Sequence, residues 1–113
     1  MGTGEVSEAY SLELPVYLAK KVQQARFEME RTETPWEPFR ELAAVIADAP
    51  AHKGYLLLTV PWRLLETLRD CTQEAKNLSS SRNAQELIPY VWRMDKAIET
   101  RSAVDRLSDL VDA

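Results

Sequence analysis

The chain has 113 residues and a mass of 12.9 kDa, is 45% hydrophobic and 28% charged, and carries a formal net charge of −4. That length suits one domain with a core of its own, and the composition excludes a disordered chain. The acidic balance, with a pI near 5.0, argues against a duplex-binding module, which needs clustered Lys and Arg to neutralise phosphates.

Residues 1–13 are polar, acidic and aperiodic, with Tyr10 and Leu12 as their only large apolar groups. They read as an N-terminal arm preceding a single helical domain over 14–113. The start lacks both a basic stretch and an apolar stretch, so the protein is expected to be cytoplasmic. Val6 stands where a myristoylation signal needs Ser or Thr, and no apolar run approaches the roughly 18 residues of a membrane span.

From Pro15, well suited to a first helical position, the pattern turns helical. Leu14, Leu18, Val22, Ala25 and Met29 recur at spacings of three and four and form one core stripe. Val16 and Phe27 share the opposite, charged side, because eleven residues at about 100° each return to the same azimuth. They are candidate partner-binding residues. The next helix opens at "TPWE", Thr34 to Glu37, a capping box complicated by Pro38. Phe39, Leu42, Ala43 and Ile46 then share a face, Trp36 is expected to seal its head, and Asp48 to Pro50 stops it.

The most apolar stretch is "HKGYLLLTVPW", His52 to Trp62. Tyr55, Leu56, Leu57 and Leu58 fit a helical turn or a short strand equally on periodicity. A strand here has no obvious partner in the chain, and glycines for hairpins are scarce, so a helical turn or extended connector is expected. The same four residues are a possible dimer seam. Pro61 opens a strong helix with Trp62, Leu65, Leu68, Cys71 or Thr72, Ala75 and Leu78 on one stripe, and Asn77 to Asn83 reads as a loop.

The last segment begins with an Asn83-x-x-Glu86 cap, carries Pro89, and places Leu87, Val91, Met94 and Ile98 on one face. Beyond Glu99 the phase shifts: Val104, Leu107 and Val111 fall roughly 200° from that stripe, with Leu110 beside them. Either a new short helix folds back, or one straight helix carries a second apolar face for another protein. Trp92 lies off the core stripe and reads as exposed. Trp92, Val104, Leu107, Leu110 and Val111 therefore join Val16 and Phe27 as partner-binding candidates.

No catalytic constellation is apparent. His52 is the only histidine and Cys71 the only cysteine, too few ligands for a zinc site at helical spacing. Cys71 reads as a small core residue, and the carboxylates read as solvated helix faces. No cofactor, metal, small-molecule substrate, nucleic acid or membrane is implied, and a non-enzymatic role is expected.

The segments "SLELPVYLAKKVQQARFEMERTETPWEPF" and "AQELIPYVWRMDKAIETRSAVDRLSDLVD", with the small size and acidic balance of the chain, are similar in character to the small helical anti-activators of bacterial quorum sensing. That resemblance implies a homodimer whose apolar helix surface occupies the dimer interface of a transcription regulator such as LasR. The expected fold is all-α, four or five amphipathic helices in a small bundle, with a short strand near residues 54–59 as the open alternative. A secretion chaperone or antitoxin-like protein, holding its client in an apolar groove, is the competing function. A helix-turn-helix DNA binder ranks third, since the segment from Pro61 to Asn83 lacks a basic recognition helix.

Overall fold

A computed structural model describes residues 9–112, the side chains of 105, 106 and 108–112 aside. The elements in chain order are β1 (Ala9–Pro15), α1 (Val16–Thr32), α2 (Glu37–Asp48), β2 (Ala51–His52), β3 (Tyr55–Pro61), α3 (Trp62–Leu78) and α4 (Ser81–Asp112). The molecule is mostly helical but not all-α. A three-stranded antiparallel sheet in the order β1-β3-β2 packs on the helices.

The sheet corrects two expectations. The stretch from Tyr55 is a strand rather than a helical turn, and its partner is the segment read as a polar arm, from Ala9 onward. Tyr10, Leu12 and Leu14 alternate with Ser11 and Glu13, and the register sets them opposite Val60, Leu58 and Leu56. One face of the ribbon therefore joins the core, where Leu14, Leu58 and Val60 are almost fully buried, while Ser11, Glu13, Tyr55, Leu57 and Thr59 point away. The turn from β2 to β3 needs no Asn-Gly pair. Lys53 (φ 51°) and Gly54 (φ 86°) both take the left-handed conformation of a two-residue hairpin.

The two long strands enter helices in the same way. Pro15 and Pro61 each end a seven-residue strand and precede a 17-residue helix. Their dihedrals nearly coincide, φ −52° and ψ 138° against φ −54° and ψ 141°. Each proline is both the last strand residue and the helix N-cap, a position whose N–H has no intrahelical partner. The equivalence extends to side chains. The buried residues of α1, namely Leu18, Ala19, Val22, Ala25 and Arg26, correspond at a constant offset to Leu64, Leu65, Leu68, Cys71 and Thr72 of α3. β1 and β3 pair with Leu12 opposite Leu58, the centres of the two strands. The core is thus built from two strand-proline-helix units about a pseudo-two-fold axis, each completed by a following helix, α2 or α4.

Two helix boundaries depart from expectation, and one of the two alternatives open for the last segment is realised. α2 starts at Glu37 with Trp36 at the cap position and no side-chain cap, so the Thr34 capping box does not form. The Trp36 carbonyl instead accepts the N–H groups of Phe39 and Arg40. The loop expected over Asn77 to Asn83 shrinks to Ser79 and Ser80. The last segment is one helix, with Pro89 inside it. At about 1.5 Å per residue, its 32 residues match the 48 Å longest dimension of the molecule. It runs antiparallel along α3, with Arg69 bonded to Asp95 at 2.7 Å and the Arg101 guanidinium 5.1 Å over the Trp62 ring. Past Ser102 it outruns α3.

Candidate functional site

Two surfaces carry groups that the fold does not use. The first is built from helix faces. Leu87, Val91 and Met94 turn into the core, which leaves the opposite side of α4 to solvent. There Trp92 is 70% exposed, Val104 52% and Leu107 61%. On α1, Phe27 is half-exposed with Arg31 stacked on its ring, and Val16 is half-buried. Leu110 and Val111 lie outside the described side chains. Helix rise separates Trp92 from Leu107 by about 22 Å along α4, a length that one partner helix could cover.

The dimer seam expected at Tyr55 to Leu58 does not hold as a unit, because a strand sends alternate side chains to opposite faces. Leu58 is buried in the core and Leu56 packs against it, so only Tyr55 and Leu57 face outward. Trp36, expected to seal a core, is exposed and stacks on Arg40 at 5.0 Å. Trp62 does close the core, half-buried and edge-on to Tyr10 at 5.7 Å. Leu78, assigned to the α3 stripe, is exposed at the last position of its helix.

The second surface is a cleft between the sheet and α4. Its larger part, about 660 Å³, is lined by Tyr10, Ser11, Glu13, Tyr55, Tyr90 and Arg93 among others. A smaller part of about 280 Å³ shares Tyr55, Tyr90 and Arg93 and adds Tyr17 and Glu86. The Tyr17 hydroxyl donates to Glu86 Oε2, and that hydrogen bond to a carboxylate raises the Tyr17 phenol above its ordinary value of 10.0. Partial burial and the neighbouring Tyr55 raise Tyr90 as well, against an opposing pull from Arg93. The sequence reading missed this cleft, since its residues come from β1, α1, β3 and α4 and share no periodicity.

Among the described residues no group of three or more His, Cys, Asp or Glu is placed to hold a metal ion. Cys71 is buried, and desolvation pushes its thiol up to about 12, so the nucleophilic thiolate is scarce at neutral pH. A two-stranded ribbon is one of the elements that a DNA major groove admits. The outward residues of this one, Ser11, Glu13, Tyr55, Leu57 and Thr59, include no Lys or Arg. No helix among the described residues is long and apolar enough to cross a membrane. No protein-family model, curated protein or solved structure matches the chain.

Proposed function

We propose that the chain is a cytoplasmic, non-enzymatic regulatory protein that binds and masks another protein. Its partner in this reading is a transcription regulator, which the chain, acting as a homodimer in the manner of a quorum-sensing anti-activator, prevents from dimerising or binding DNA. The observation that carries the reading is Trp92, 70% exposed on α4 with Val104 and Leu107 farther along the same helix. A large rigid ring left in water by a chain whose core is otherwise closed is the residue type and setting of a binding hot spot. Exposed apolar groups along one helix would otherwise be an aggregation hazard. A tagged chain used to capture proteins from its native lysate tests this. A regulator should be retained by the wild type and lost from Trp92→Ala, and adding the chain to the regulator should abolish its gel shift on its own operator. A regulator that keeps its operator at saturating chain would defeat the reading.

The chaperone-like alternative is favoured by one feature, the open cleft beside the sheet. It predicts retention of an unfolded client by the wild type and by Trp92→Ala alike.

A further inference from the structure

We propose that the cleft between the sheet and α4 is a recognition site for a cationic side chain, arginine or lysine, presented by an exposed segment of a partner protein. The chain has four tyrosines. All four, Tyr10, Tyr17, Tyr55 and Tyr90, line the cleft's two adjoining parts, which share Tyr55, Tyr90 and Arg93, although they are scattered through the sequence. The face of an aromatic ring carries negative electrostatic potential and attracts ammonium and guanidinium groups.

Full negative charge comes from Glu13 and Glu86, which line the same walls. Among the described residues neither carboxylate takes part in an ion pair. Among the described residues the one cation lining the cleft is Arg93, whose guanidinium sits 5.6 Å from the Tyr90 ring centre. That contact displays the chemistry proposed, and it still leaves two carboxylates against one cation, with Tyr55 half-exposed beside them.

Other ligand classes fit less well. An anion would meet Glu13 and Glu86, and a purely apolar group would strip water from two carboxylates that no cation neutralises among the described residues, which is costly. The Tyr17 phenol, raised chiefly by its hydrogen bond to Glu86, accords with a carboxylate facing the cleft. The inference goes beyond the masking reading and makes no use of Trp92, Val104 or Leu107, so each can fail without the other.

The test is titration of the full chain with acetyl-Arg-Arg-Arg-amide, followed by amide NMR at low and high salt, with tri-glutamate as control. Saturable shifts confined to Glu13, Tyr17, Tyr55, Glu86 and Tyr90 and their neighbours are expected, weaker in high salt and absent with tri-glutamate. The paired substitution Glu13→Gln and Glu86→Gln should weaken binding by at least about fivefold. Arg93→Ala should strengthen it by removing the internal competitor. Failure to saturate, an equal response to tri-glutamate, or undiminished affinity in the Glu13→Gln and Glu86→Gln chain with its spectrum otherwise intact would overturn the proposal. A fold damaged by the paired substitution leaves the decision to Arg93→Ala, whose unchanged or weaker affinity overturns it equally.

Discussion

At the scale of single residues, Arg26 shows how a charge is kept inside a small core. Its side chain is almost entirely buried on α1. It is held by Glu30 at 2.5 Å, by Gln23 and by the carbonyl of Phe39 at 3.2 Å, which ties α1 to the first turn of α2. Removing it takes away the Phe39 link between the helices and leaves the partly buried Glu30 with only the longer contact to Arg40 at 3.9 Å, so Arg26→Ala should cost about 2–3 kcal/mol in urea unfolding. Cys71 makes a pH prediction. Its folded thiol holds its proton up to about 12, whereas an unfolded thiol releases it near 8.5. The native state then binds the extra proton over that interval. The stabilisation is fully present below about pH 8.5 and is lost as pH rises towards 12. Unfolding free energy should therefore fall between pH 8 and 10.5 by more in the wild type than in Cys71→Ala. That Cys71 is a core residue was legible from its stripe. Trp36 was not, because size and a neighbouring proline say nothing of whether a core lies within reach, and Arg40 offers the ring a surface stack instead.

At the scale of elements, helices were legible because their faces differ in polarity at a period near 3.6. β1 was harder, although its alternation of Tyr10, Leu12 and Leu14 with Ser11 and Glu13 has the strand period. Seven residues with an acidic flank resemble an arm until the partner is known, and the register with β3 is a property of both strands together. Pro89 gives the sharpest prediction for an element. It lies in the ninth position of α4, beyond the first turn, where it removes a backbone hydrogen bond to the turn before it. Pro89→Ala should restore that bond and raise stability by about 1–3 kcal/mol in thermal or urea unfolding. A loss of stability on that substitution would mean that the ring, which also lines the cleft, contributes more to packing than its missing N–H takes away.

At the scale of the molecule, the pseudo-two-fold arrangement accounts for the closed core. Arg26 occupies in α1 the place of Thr72 in α3, and Val16 the place of Trp62. Such divergence hid the repeat in the sequence, where burial rather than identity is what the two units share. The repeat also separates structural from additional parts. α2 ends after 12 residues, whereas α4 continues for 32, and Ser102, Ala103, Val104 and Leu107 on its extension are exposed. Ending the chain after Ser102 should change the unfolding free energy by less than about 0.5 kcal/mol, measured by thermal denaturation. The apolar groups kept outside the core, Trp92 foremost, are the centre of the account. The most direct test is the affinity of the chain for the captured regulator, measured by titration calorimetry for the wild type and for Trp92→Ala. Affinity at least about tenfold weaker in the variant, with stability unchanged within about 0.5 kcal/mol, is the predicted result. Equal affinity for the two proteins would contradict a binding surface built on α4.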